Sequence, residues 1–222
     1  MGEDAVTTTS LALYATRLGD DALILGQRLS EWCGHAPTIE VDLSLANLAL
    51  DLIGQATHFL GVAGDSDKLA FHRDALDFSN CLLVEQPNGD FAQTMARQFL
   101  FSTFQELQLQ ARASSKDESL AAIAAKAVKE VAYHRRLAND WVVRLGDGTG
   151  ESKTRIGAGL DWMWRFVDEL FEMDELETKL AKDRVGVDKS ALRAEWDSRV
   201  DAVLAEATLA RPGPRRPVLG GR

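Results

Sequence analysis

Proline is missing where it would do most damage. The chain has 222 residues and five prolines, and none lies between Asn88 and Arg211. Interior proline breaks a helix, so that gap leaves room for long ones. Cysteine is sparse: Cys33 and Cys81 form no Cys-x-x-Cys pair, which removes a zinc ribbon or a disulfide scaffold, and both are expected to be reduced, buried thiols. No run of 18 apolar residues occurs, so no membrane span is expected. The first ten residues, MGEDAVTTTS, lack the apolar core of a signal peptide, and a cytoplasmic location is expected. Gly-x-Ser-x-Gly elbows, P-loops and Gly-x-Gly-x-x-Gly turns are absent, and GDGTGES follows a helical pattern rather than a strand, so it reads as a loop. Alternation of period two never persists, which excludes a sheet.

Positive charge is also short. Lys and Arg number 25 against 34 Asp and Glu, for a formal charge of −9. Four arginines and no acid follow Ala210, so the rest stands at about −13 when those four charges are removed. A body this acidic repels phosphate backbones and argues against nucleic acid as a partner.

What is present is helical periodicity over a 45% hydrophobic chain. Leu11, Tyr14, Leu18, Ala22, Leu25, Leu29 and Trp32 predict a first helix over Ser10 to Trp32. Thr38 is the expected N-cap of a second, running to Val62, with Glu40 and Asp42 in its first turn. Val41, Leu45, Leu48, Leu52 and Phe59 form its stripe. Leu43, Leu50, Ile53 and Leu60 widen the stripe and predict a central helix buried on more than one side. Residues 64–89 mix short apolar pieces with turn residues and read as a connection holding a short helix or two. A third helix is expected from Asp90 to Ala113. A fourth runs to Leu145, opened by a Ser115/Glu118 capping box and closed by Gly146 as a left-handed cap. A fifth spans Ser152 to Phe171, a shorter piece starts at Asp174, and a sixth starts near Asp188. RPGPRRPVLGGR has the composition of a disordered tail.

The connection lengths select a topology. Short turns make helices one and two, and three and four, antiparallel hairpins. The long link between helices two and three can travel the length of a bundle, about 37 Å for a 25-residue helix. The expected fold is therefore all-α: a ferritin-like helical bundle with one long crossover and extra C-terminal helices, as a single domain over 1–209 with a tail over 210–222.

Glu130 and His134, four apart in VKEVAYHRRLANDW, share one helix face and suggest a metal site. Di-iron bundles need a Glu from each of two helices and a Glu-x-x-His pair from each of two others. The four histidines settle whether such pairs exist. Three residues before His35, His58, His72 and His134 stand Trp32, Gln55, Leu69 and Val131, so no acid-x-x-His pair is present. The plain reading of Glu130 and His134 is a hydrogen-bonded or salt-bridged pair. Helix two carries Ser44, Asn47, Asp51, Gln55 and His58 opposite its apolar stripe. Asp51 amid LALDLIG needs a partner, and Arg17, Arg28 and His134 are the candidates. A polar bundle centre of Asp51, Gln55, Glu130 and His134 is one expectation; an ordinary solvated face is the other.

RLGDDALILGQRLSEWCGHAP, DLSLANLALDLIGQA, LLVEQPNGDFAQTMARQFLF, AIAAKAVKEVAYHRRLANDWVVRLGDGT and LDWMWRFVDELF occur in this order. Together they closely resemble the C-subunit family of the bacterial multicomponent ring-1,2-phenylacetyl-CoA epoxidases, from about Leu11 to Leu209. The resemblance implies a structural, ferritin-like subunit that is not itself catalytic. Its partner would be an A-type subunit that holds the di-iron centre, with B, D and E components in a hetero-oligomer. NADPH, flavin and iron–sulfur would belong to the reductase, and no cofactor to this chain. By the same resemblance Asp51 and Gly54 stand where one Glu-x-x-His pair would be, and Val131 and His134 where the other would be. The first-helix Glu falls near Asp21 or Ala22, and the third-helix carboxylate has no evident counterpart. The end of the chain departs from the family pattern, which raises a truncation. Two other readings stay open at this point: an independent di-metal oxidase or iron-binding bundle, and a helical interaction module unrelated to oxygenases.

Overall fold

A computed structural model describes residues 2–221, with side chains described from Thr9 onward. Among the described residues there are helices and turns but no strands. The long helices are α1 (Gly2–Ser30), α2 (Ile39–Ala63), α5 (Phe91–Arg112) and α6 (Glu118–Gly146), and they build a ferritin-like bundle. α1 and α2 run antiparallel: Gly19 lies against Leu60, and Gly26 against Ala49 and Leu52. At Gly19 a Cβ would sit 2.7 Å from Leu60, so glycine permits the close approach.

The crossover holds α3 (Ser66–Phe71) and α4 (Leu82–Glu85). It follows α1 in the chain direction because acids of α1 hold its backbone. Asp20 binds Arg73 and accepts from the Ser79 amide at 2.9 Å. Asp21 accepts from the Cys81 amide at 2.7 Å. Further on, Arg28 donates twice to the Glu85 carbonyl, and Asn88 donates to the Arg28 carbonyl. α5 therefore starts at the end of the bundle where α1 stops. There Trp32, Phe91 and Trp141 stack edge to face, with centroids 5.8 and 4.9 Å apart.

The outer helices are α7 (Gly150–Met163), α8 (Glu175–Lys182) and α9 (Arg193–Glu206). Helix five of the sequence reading is thus shorter, since Trp164–Phe166 and Asp168–Phe171 are tight 3-10 turns. Trp196 of α9 is fully buried, donates to the Leu100 carbonyl at 3.1 Å and packs its ring on Phe171 and Trp164.

Four expectations change. The N-cap of α6 is Asp117, which accepts from the Leu120 amide at 2.9 Å; Ser115 instead donates to the Val185 carbonyl. Gly146 is no left-handed cap: it is the last residue of α6, and a Cβ there would meet the Ala207 carbonyl oxygen at 2.4 Å. Cys33 is exposed, in the turn that ends α1, while Cys81 is buried. The arginine-rich end makes directional contacts with the body. Arg211 pairs with Asp197 and Asp201, Arg215 pairs with Asp161, and Glu169 accepts from the amides of Gly220 and Gly221. Composition alone could not reveal acids placed to receive those arginines.

The central helix is also a different one. α5 is buried on nearly every side. α2 buries one side only, and Leu43, Leu50 and Ile53 are exposed. Apolar periodicity shows that a face is apolar, not that this chain covers it.

Candidate functional site

The anticipated polar residues gather where α2, α5 and α6 face one another. α2 and α6 run antiparallel, so positions climbing one descend the other: Asp51 meets His134, Gln55 meets Glu130 and His58 meets Lys126. Asp51 lies 3.0 Å from Nε2 of His134. His134 is fully buried and Asp51 is half-buried, so the pair runs from the bundle interior to its surface. The other two candidates bond elsewhere: Arg17 to Asp174 and Arg28 to Glu31.

Glu130 and His134 do not serve each other. Glu130 accepts from Gln55 Nε2 at 2.9 Å, and Gln55 Oε1 accepts from Gln105 Nε2 at 3.1 Å. A chain of amide and carboxylate thus links α5, α2 and α6. Along α6 the inner face goes apolar, polar, apolar: Val131 belongs to a cluster with Tyr14, Leu18 and Phe59, and Ala138 to the larger core, with His134 between them.

The sequence places helix α5, from its Asp90 cap onward, but not the polar file that the helix buries. Gln98, Ser102, Gln105 and Gln108 recur at three- and four-residue steps on its buried surface. Both polar atoms of the Gln98 amide, the Ser102 hydroxyl, Gln105 Oε1 and His134 Nδ1 have no hydrogen-bond partner among the described residues. Such a file of polar groups is costly to bury. Its signal was the polar half of QFLFSTFQELQLQAR, which reads equally well as a solvated face. Next to it Glu106, also buried, accepts from Arg135 Nε at 2.6 Å and Arg199 Nη1 at 2.8 Å, tying α5 to α6 and α9. At the far end Arg97 is wholly buried and bonds Asn88 Oδ1 at 2.6 Å and the Gln86 carbonyl. Burial, assisted by the charge of Arg28, pushes its guanidinium down to about 9.

The four positions that the resemblance aligned with ligands have little to offer a metal. Gly54 has no side chain, and a Cβ there would project into open space. Val131 is sealed among apolar groups. Asp51 and His134 occupy each other. Asp21, the first-helix candidate, caps the Cys81 amide, and Ala22 sits in the core. Among the described residues no group of three or more His, Cys, Asp or Glu side chains converges to hold an ion. This donor set does not fit a pair of irons, which needs six ligands. What opens to solvent is a groove of about 150 Å³ between α2 and α6, lined by Leu50, Asp51, Gly54, His58, Lys126 and Glu130 among others. Chemically, the centre can hold two helices in register; a carboxylate bound to a buried imidazole and a shared amide chain do that without a ligand.

Comparison with known proteins agrees on a relationship. The family model described as "Phenylacetic acid catabolic protein" matches residues 3–221. The chain is 47% identical over 218 residues to the Escherichia coli (strain K12) protein named as the C-subunit of 1,2-phenylacetyl-CoA epoxidase, covering 96% of this chain and 88% of that one. No helix among the described residues is long and apolar enough to cross a membrane.

Proposed function

We propose, since this chain belongs to the phenylacetic acid catabolic protein family, that it is the non-catalytic structural subunit of a multicomponent di-iron monooxygenase. That enzyme epoxidises the ring of phenylacetyl-CoA in aerobic phenylacetate catabolism. The chain pairs with and stabilises the catalytic A-type subunit, which holds the iron, and B, D and E components complete the assembly. NADPH, flavin and iron–sulfur belong to the reductase component, and the complex is cytoplasmic.

One observation carries the non-catalytic part. The bundle has the helices that a di-iron centre would use, but Gly54, Val131 and the mutually bonded Asp51 and His134 leave no set of ligands. The work of those helices is then mechanical. The Asp51–His134 and Gln55–Glu130–Gln105 bonds fix α2 against α6 and α5, and so fix the outer surfaces those helices present. A rigid neighbour holds a catalytic bundle in its active arrangement at no chemical step of its own.

The test is reconstitution by omission. Epoxidation of phenylacetyl-CoA is measured with the A-type subunit and the other components, with and without this chain. The expected result is loss of turnover on omission and its return on addition of the iron-free chain. Full turnover without the chain would overturn the proposal.

A further inference from the structure

Residues 210–221 form no helix, yet the body holds them from one end to the other. Pro212, Pro214 and Pro217 keep the segment extended and limit the freedom it loses on docking. Its order therefore comes from the stations it meets. Arg211 pairs with Asp197 and Asp201 of α9 and lies over the Trp164 ring, 5.0 Å from its centroid. Arg215 pairs with Asp161 of α7. The Val218 amide donates to the Arg165 carbonyl at 2.9 Å. Last, the amides of Gly220 and Gly221 donate to Oε1 of Glu169 at 3.2 and 2.6 Å.

The stations differ in kind. The two arginine pairs are part-exposed and contribute little each. Glu169 is buried, and its second oxygen accepts from the Leu82 amide at 2.7 Å, at the start of α4. One carboxylate thus ties the segment to the crossover. Both glycines are needed for the fit. Gly220 has φ +119°, a conformation that strains any other residue. At Gly221 a Cβ would meet the Asn80 carbonyl oxygen at 2.5 Å and the Leu82 nitrogen at 2.9 Å. Gly221 is pressed on the backbone on either side of Cys81, whose side chain is fully buried. Leu219 and Gly220 also wall a cavity of about 360 Å³, which Arg17, Glu172, Met173 and Glu177 help to line.

We propose that residues 210–221 are a latch: the arginines guide the segment across α9 and α7, and Glu169 locks its two glycines onto the crossover. Closed, the latch shelters Cys81 and completes the cavity wall. Opened, it frees the segment and the crossover in one step, because the same carboxylate serves both.

The chain carries its own probes for this. Of Arg211, Arg215 and Arg216, only Arg215 is not followed by proline, so trypsin cleavage after Arg215 reads release of the segment. Exposed Cys33 reacts at once with a chromogenic aromatic disulfide, and buried Cys81 only in proportion to the fraction of open chains. Both rates are measured on the full chain at neutral pH. Glu169→Gln is expected to raise both about tenfold, since a carboxamide has one acceptor oxygen and cannot serve Leu82 and Gly221 together. Gly221→Ala, which leaves Glu169 in place, is expected to do the same. Gln55→Leu weakens the bundle without touching the segment and is expected to leave both rates within about twofold of the parent.

Unchanged rates in Glu169→Gln and Gly221→Ala would overturn the inference. So would faster cleavage after Arg215 with Cys81 as slow as before, which would separate the segment from the crossover. An equal rise in Gln55→Leu would assign the exposure of Cys81 to general unfolding and overturn it too. Neither rate depends on turnover or on a partner, so both stand apart from the omission test.

Discussion

Replacing Gln55 by leucine tests whether the polar centre is a single linked unit. Gln55 is buried and makes two bonds, donating to Glu130 and accepting from Gln105. A net hydrogen bond contributes about 1 kcal/mol, with more where one partner is charged. Glu130 is half-buried and regains water, so its loss counts at the low end. Gln105 cannot: it is buried, its Oε1 already has no partner among the described residues, and the leucine side chain would strand its Nε2 as well. Stranding such a group costs about 1–3 kcal/mol. The expected loss is about 2–3 kcal/mol, or a fall of about 5–10 °C in Tm for a chain of this size. Gln55→Leu with Gln105→Leu removes both ends and leaves apolar groups of similar shape, so most of the loss should return, to within about 1 kcal/mol of the parent. Urea unfolding followed by far-ultraviolet circular dichroism measures all three chains. A double variant no more stable than Gln55→Leu alone would refute the linkage.

Three further outcomes follow from the packing. Glu106→Leu should cost about 2 kcal/mol in the same assay, less than a fully buried pair, because Arg135 and Arg199 are 30 and 29% exposed and can rehydrate; an unchanged midpoint would remove Glu106 as the joint of α5, α6 and α9. Gly146→Ala should destabilise by more than about 1 kcal/mol despite alanine's helix preference, since its Cβ meets the Ala207 carbonyl oxygen, whereas Gly157→Ala, with open space around it, should stabilise by about 0.5–1 kcal/mol; equal effects would contradict the close approach. Burial would raise the carboxyl of Asp174, but the hydrogen bonds from Arg17 and the Glu177 amide outweigh it and hold the group below its usual 3.8. A depressed carboxylate contributes stability that is present above the unfolded value and lost as pH falls through the folded one. Asp174→Asn should therefore weaken the fold at pH 7, and the deficit should close below about pH 4; a deficit that persists into acid would assign the effect to packing.

The helices were legible because their ends are chemically marked. Thr38 and Asp90 cap α2 and α5 as their positions suggested, accepting from Val41 and Gln93. The meeting of Asp51 with His134 was legible too, since a charge amid apolar neighbours must find a partner and few were available. Other features were hidden for physical reasons. Leu43 and Leu50 have the spacing of core residues, and only the three-dimensional arrangement shows that they stay exposed among the described residues. Gln98, Ser102 and Gln105 have the character of surface residues but are enclosed by the helices around α5. Ser115 and Asp117 both offered an N-cap; the competing bond from Ser115 to Val185, seventy residues away in sequence, decided between them. Arg211 and Arg215 find their acids on α9 and α7, contacts no local pattern encodes.

The central claim is that this bundle supports an oxygenase without being its metal centre. Iron per chain, measured by elemental analysis on the purified chain after growth in iron-rich medium, tests it most directly. The account predicts well under about 0.1 iron per chain, because no ligand set converges among the described residues. About two irons per chain, lost together on Asp51→Ala or His134→Ala with the fold intact, would contradict it.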